Sequence, residues 1–262
     1  MSISLSQIYD AVKKATVAIV ASIPGSGGRC PFTIIGSGFC VRSEGVVITC
    51  EHVFKAFVDP KSYQRLMQSI GRNDGQPVPV KSVVPHAMFY SGARGTEIRM
   101  DAVSIATGVA MKDFDLAALK LHEHSAFPQG YPTLPIADYS ELHEMMEVAT
   151  CGYPLGESLH DQLGTVTSSF TKGIISSIIP AQGVDCEHLR GFQLDLTATN
   201  GNSGGPVFSL ATGRVFGVLQ KGVVHPNSQI VQGLTKAEPI YPLLDTDLVD
   251  RLARGLWMPG PR

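Results

Sequence analysis

Thr33-Ile34-Ile35-Gly36-Ser37-Gly38-Phe39-Cys40-Val41, a four-residue break, and then Val46-Val47-Ile48-Thr49-Cys50-Glu51-His52-Val53 form the stretch that decides the fold. Two apolar runs rich in β-branched residues on either side of a short polar break read as a β-hairpin. Runs of the same kind recur along the chain, cut by Gly, Pro or Ser. They are Val78–Val84, Asp101–Ala106, Leu116–Leu121, Glu147–Cys151, Gly164–Ile178, Gly191–Leu196, Pro206–Ser209, Arg214–Gln220 and Gln229–Leu234. Many short strands with Gly-rich turns point to an all-β antiparallel barrel or sandwich. A parallel α/β sheet needs a helix between successive strands, and there is no room for those helices. The 27 Gly and 17 Pro among 262 residues fit turns rather than a helical protein.

Two helices frame this β-rich region. Residues 3 to 14 place Leu5, Ile8, Tyr9 and Val12 on one face, and residues 242 to 255 carry a stripe of Leu243, Leu244, Leu248, Val249 and Leu252 with Asp247 and Asp250 outward. Residues 59 to 76 are polar and read as a loop or short helix. Lys13-Lys14 followed by the apolar stretch Ala15 to Ile23 is long enough for a signal-peptide core. A buried first strand is the preferred reading. Val17, Ile19 and Val20 are β-formers, Pro24-Gly25 ends the run, Tyr9 and Asp10 stand where a leader should be basic, and no A-x-A site follows.

Composition excludes several classes of function. Apolar residues are 44% and charged residues 17%, which is globular and not disordered. Lys+Arg is 21 against 23 Asp+Glu, a net charge of −2 with no polyelectrolyte run, so neither nucleic acid nor an anionic membrane is expected as partner. No run of eighteen apolar residues exists to span a bilayer. The five cysteines, Cys30, Cys40, Cys50, Cys151 and Cys186, are odd in number and lack a C-x-x-C. Reduced thiols in the cytoplasm are therefore expected, with a Cys40–Cys50 pair across the hairpin as the alternative. His122-Glu123-His124 has no further ligand at metal spacing and reads as a solvated surface, so neither metal nor cofactor is expected.

Chemistry concentrates in Gly201-Asn202-Ser203-Gly204-Gly205-Pro206. A serine between glycines can sit on a tight turn with its hydroxyl exposed, and the glycines allow backbone N–H groups to converge on one point. Such a hydroxyl needs a base to take its proton. His52, at the end of an apolar strand, is the candidate base, and Asp115, opening Asp115-Leu116-Ala117-Ala118-Leu119-Lys120-Leu121, is the candidate orienter. Asp113 competes for the acid role, but Asp115 directly abuts the apolar strand, and Asp113 precedes Phe114 as a turn residue would. Asp195 is read as structural.

The order His, Asp, Ser resembles that of the chymotrypsin-like serine proteases, and the pattern is most similar to the protease domain of the HtrA/Deg type. Gly36-Ser37-Gly38-Phe39 through His52-Val53 resembles its first-barrel hairpin, and Asp115 to Leu121 its aspartate strand. Ala149-Thr150-Cys151-Gly152-Tyr153-Pro154-Leu155-Gly156 resembles its "GNPFG" turn, Thr171 to Ser177 its "TSGIVS" strand, and Gln193-Leu194-Asp195 runs into Gly201 to Pro206. The matches cover residues 15 to 235 in order. Cys50 and Glu51 depart from the small residues usual before the histidine, the span from His52 to Asp115 is longer than the family minimum, and no PDZ domain is expected.

The resemblance implies two six-stranded antiparallel barrels within one domain, at residues 15 to 125 and 130 to 240, with the triad His52, Asp115 and Ser203 in the cleft between them. It implies an oxyanion hole from the N–H groups of Gly201 and Ser203, and a serine endopeptidase acting on protein or peptide. It puts the base of the primary pocket at Thr197, with walls from Thr197-Ala198-Thr199 and Val218-Leu219-Gln220 and with Lys221-Gly222 at the rim. Thr197 carries no charge to pair with Lys or Arg, and Leu219 stands where glutamyl endopeptidases place a His, so a small or medium uncharged P1 residue is expected. Two alternatives remain at this stage. One is a non-catalytic module that grips an extended strand. The other is a latent enzyme whose loop 59 to 100 blocks the cleft until a protein partner binds.

Overall fold

The structure, a computed structural model, describes residues 4–22, 32–59, 61–62, 84–94, 97–111, 113–154, 166–180, 189–224 and 230–256. Helix α1 (Leu5–Ala15) starts with a capping box. Ser4 Oγ accepts from Gln7 N at 3.3 Å, and Gln7 Oε1 accepts from Ser4 N at 2.9 Å. It buries Ile8, Val12 and Ala15 and runs directly into β1 (Thr16–Ser22).

Strand β1 is followed by β2 (Phe32–Arg42), β3 (Val46–Thr49), β4 (Val84–Arg94), β5 (Glu97–Ala110) and β6 (Ala117–Leu121). These close into an antiparallel barrel in the order β1-β2-β3-β6-β5-β4. The second barrel holds β7 (Glu147–Gly152), β8 (Ser169–Pro180), β9 (Leu189–Asp195), β10 (Pro206–Ser209), β11 (Val215–Val224) and β12 (Ile230–Pro239). It closes, again antiparallel, in the order β10-β11-β12-β9-β8-β7. The chymotrypsin-like expectation is met.

The ambiguous stretch from Ala15 is a strand held between β2 and β4. Its unbroken apolar character follows from the period of two in a strand. Val17, Ile19 and Ala21 face the first barrel's core, while Ala18 and Val20 pack outside it with Ile34, Tyr153 and Val166. The second core is built on Val148, Ile175, Phe192, Leu194, Val207 and Phe216, with Phe192 and Phe216 edge to face at 5.0 Å. Burying each of these large side chains contributes about 1.5–3 kcal/mol.

Two local readings are corrected. His52 does not end a strand; β3 stops at Thr49 and the chain turns into helix α2 (Glu51–Val58). Val53, Ala56 and Phe57, spaced three and four apart, supply its buried face. The expected helix over 242 to 255 is two shorter ones, α3 (Tyr241–Leu244) and α4 (Leu248–Ala253). The Thr246 hydroxyl donates to Leu243 O at 2.8 Å, competing with the backbone and ending α3. Strand β4 begins where the expected run Val78–Val84 ends. Pro24-Gly25, Cys30, Cys186, residues 63 to 83, residues 155 to 165 and residues 257 to 262 lie outside the described residues.

Candidate active site

The turn from β3 into α2 places His52 in the first helical turn, where backbone N–H groups lack intrahelical acceptors. Cys50, at the N-cap position, makes no side-chain capping bond. Asp115 supplies the acceptor from the segment leading into the neighbouring strand β6, where Ala117 pairs with Thr49. Its Oδ1 accepts from His52 N at 3.0 Å, and its Oδ2 lies 2.7 Å from His52 Nδ1. One carboxylate thus caps the helix and orients the imidazole carried by it. Negative charge at a helix N-terminus is itself favourable.

Burial alone would raise the Asp115 carboxyl. The hydrogen bond and charge of His52, its backbone N–H and the Gln220 side chain outweigh burial and hold it at about 2, below the ordinary 3.8. Asp113 is exposed and lines the same cleft, but the hydrogen bonds of His52 go to Asp115, so Asp115 is the residue the fold brings to the imidazole. His52 presents about half its side chain to solvent (49%), and Asp115 only 17%. The cleft, about 620 Å³, is lined by Glu51, His52, Asp113, Phe114, Asp115, Gln220 and Glu238. Glu51 pairs with Lys55 at 2.8 Å and Glu238 with Lys236 at 2.9 Å.

The Gly201–Pro206 turn leads into β10 and is folded on itself. Asn202 N donates to Thr199 O at 3.1 Å, and Gly205 N donates to Asn202 O at 3.0 Å. Gly204 has φ +90, and a Cβ there would collide with Ser37 O and Thr49 Oγ1, so only glycine fits. Gly201 has φ +97. The N–H groups of Gly201 and Ser203 donate to no acceptor among the described residues. The half-buried Ser203 donates its hydroxyl proton to Gln220 O, and no hydrogen bond joins it to His52.

The first barrel grips this turn through Ser37, a residue sequence reasoning passed over. Ser37 N donates to Ser203 O at 2.8 Å, and Ser37 Oγ donates to Gly201 O at 2.7 Å and accepts from Tyr153 N at 2.9 Å. Thr49 Oγ1 in turn donates to Ser37 O at 2.7 Å. The available signal was a buried hydroxyl between Gly36 and Gly38 on an apolar strand, because such a group must find partners.

Leu219 is fully buried in the second core. Its carbonyl accepts from Gly204 N at 2.7 Å and from the Cys50 thiol at 3.3 Å. Gln220 joins the Asp115 side of the cleft through its side chain. Thr197 and Thr199 are exposed and Ala198 half-buried on the segment after β9, and Gly222 pairs with Thr235 in the β11–β12 ladder. Asp195 ends β9 with its side chain exposed.

Cys40, Cys50 and Cys151 are buried free thiols, so no Cys40–Cys50 bridge crosses the hairpin. Burial pushes Cys40 and Cys151 up to about 12 and Cys50 well above its ordinary value. Among the described residues, one group brings potential metal ligands together. Cys50, His52 and Asp115 each offer an atom within 4.8 Å of the other two. His122 and Glu123 are exposed beyond β6 and belong to no such group.

The trypsin-like peptidase domain family matches residues 36–218 of the chain. The chain is 29% identical to "Protease Do-like 2, chloroplastic" of Arabidopsis thaliana over 170 residues, 63% of this chain and 26% of that protein. It is 27% identical to "Probable periplasmic serine endoprotease DegP-like" of Halomonas elongata over 211 residues, 80% of this chain and 34% of that protein. It thus spans about a quarter to a third of the length of these curated relatives. Among solved structures, "HtrA-type protease AlgW with tripeptide" superposes with a TM-score of 0.60 at 17% identity, covering 97% of this chain and 65% of that one. That likeness shows the fold.

Proposed function

The chain belongs to the trypsin-like peptidase domain family, and from that premise we propose that it is a serine endopeptidase. Ser203 Oγ attacks the scissile carbonyl, and His52 takes its proton through Nε2. Asp115 keeps the other ring proton on Nδ1 and stabilises the imidazolium as it forms. The N–H groups of Gly201 and Ser203 receive the oxyanion. His52 then passes its proton to the leaving amine, and a water activated by the same base hydrolyses the acyl-enzyme. The observation that carries this reading is the pair of hydrogen bonds that the Asp115 carboxylate accepts from the ring and the backbone of His52, facing the cleft beside the Ser203 turn.

The substrate is a protein or peptide. Thr197, Ala198, Thr199 and Gly222 border the primary pocket and favour a small or medium uncharged P1 side chain. Three buried thiols at Cys40, Cys50 and Cys151 support a reducing, cytoplasmic setting. A fluorophosphonate probe tests the mechanism. It should label the wild type on Ser203 and leave Ser203→Ala unlabelled. Equal labelling of both proteins would remove Ser203 from the mechanism.

One observation favours a second reading, a latent enzyme. The Ser203 hydroxyl is engaged by Gln220 O and not by His52. In a latent protein a partner or substrate would have to turn that hydroxyl toward the base. Labelling that appears only after an extended peptide is added would support latency over constitutive activity.

A further inference from the structure

Beneath the imidazole lies a residue that neither role above uses. Cys50 sits at the start of α2, fully buried, with its thiol against Leu219 O. Its sulfur, an imidazole nitrogen of His52 and a carboxylate oxygen of Asp115 all lie within 4.8 Å of one another. Nδ1 is the ring nitrogen on the Asp115 side, 2.7 Å from Oδ2. Thiolate, imidazole and carboxylate are the donor types that zinc takes, at about 2.0–2.3 Å each, with a fourth position left for water. Tetrahedral coordination at those lengths separates the donors by roughly 3.3–3.7 Å. Reaching those separations parts His52 Nδ1 from Asp115 Oδ2, now 2.7 Å apart, and draws inward any donor separation longer than that range, none of which exceeds 4.8 Å. Asp115 can meet a metal through Oδ2 alone, because Oδ1 remains on the His52 backbone N–H.

From this geometry we propose that Cys50, His52 and Asp115 form an inhibitory site for a thiophilic divalent cation, zinc being the type case. Charge balance supports it. One dication with one thiolate and one carboxylate is neutral, so the metal leaves no net charge in a half-buried site, where an unpaired charge is costly. Binding releases the thiol proton to solvent. The proton on Nδ1 moves to Nε2, and three metal–ligand bonds replace the Nδ1–H···Oδ2 hydrogen bond. An imidazole with a metal on Nδ1 and a proton on Nε2 can donate but cannot accept. His52 is then unable to take the Ser203 proton. Thiolate softness favours zinc or cadmium over magnesium or calcium.

The inhibitory consequence rests on the proteolytic reading, but the binding does not, and the test separates the two. Cobalt(II), which has the same coordination preferences and a thiolate charge-transfer absorption, is titrated into Ser203→Ala protein with Cys50 intact and with Cys50→Ala or Cys50→Ser. The expected result is a charge-transfer band with Cys50 present that both Cys50 variants lose. In parallel, peptide turnover by wild type and both Cys50 variants is measured with zinc, with magnesium and after chelation, each against its own metal-free rate. Zinc but not magnesium should inhibit the wild type reversibly, and the Cys50 variants should need at least about tenfold more zinc for the same effect. A cobalt band unchanged in the Cys50 variants, or no band at all, overturns the site. Equal zinc sensitivity of wild type and Cys50 variants overturns it too, placing the metal elsewhere. A Cys50-dependent band in a protein that shows neither turnover nor fluorophosphonate labelling of Ser203, with or without an added extended peptide, would uphold the metal site and refute the proteolytic reading.

Discussion

Replacing Asp115 by Asn keeps the shape of the side chain and changes only what its two ends can do. From His52 the carboxylate accepts two hydrogen bonds, from N at 3.0 Å and from the ring at 2.7 Å. An amide has one accepting oxygen and one donating nitrogen. The backbone N–H can only donate, so it claims the oxygen. The amide nitrogen then faces Nδ1, which must accept, and the ring proton moves to Nε2. Two losses combine. The wrong tautomer faces Ser203, and the imidazolium formed on attack lacks its counter-charge. Against the cost of burial, the hydrogen bond and charge of His52 hold the Asp115 carboxyl at about 2, below 3.8, so removing the carboxylate charge removes a favourable partner of the imidazolium. With the tautomer inverted as well, kcat should fall about 10³- to 10⁴-fold at neutral pH. The Asn oxygen still caps α2, so unfolding free energy at pH 7 should fall by no more than about 2 kcal/mol. Peptide turnover and urea denaturation measured on the same preparation separate the two effects. A variant that kept turnover within about tenfold of wild type would refute the assignment of Asp115 as orienter.

Other consequences are open to simple measurement. Gly204→Ala should lose several kcal/mol of stability or fail to fold, because φ +90 and the approach of Ser37 O leave no space for a Cβ; thermal melting reads this directly. Asp115 has a depressed carboxyl, so its contribution to stability is full above about pH 4 and is lost as pH falls through about 2; urea midpoints across that interval should show the loss in wild type and much less of it in Asp115→Asn. Cys40, Cys50 and Cys151 should resist iodoacetamide in the native protein and react once it is unfolded, as peptide mapping would show, and dithiothreitol should change neither fold nor turnover.

The sequence was most legible where local pattern and tertiary demand coincide. Val46–Thr49 and Pro206–Ser209 are strands with the bounds their apolar runs suggest, since every residue in them is buried. Strand β4 was harder to read, because Pro85, Ser91 and Gly92 dilute its apolar pattern. Helix α2 was missed because its pattern is eight residues long and directly follows a strand. The residues His52, Asp115 and Ser203 were readable from their flanking runs and order. Ser37 and Cys50 were not, because their importance lies in what the second barrel places against them: Gly201 and Tyr153 for Ser37, and Leu219 for Cys50.

The grip of Ser37 on the Ser203 turn has a mechanical consequence. The base and its acid ride on the first barrel, the nucleophile on the second, and three short hydrogen bonds at Ser37 hold the seam at the turn. Each barrel closes on itself and does not need the other's strands to complete its ladder. Slippage along the seam would therefore misalign the reacting atoms while circular dichroism still reported intact sheets. Heat should silence such a protein in two stages, first as a machine and only later as a fold.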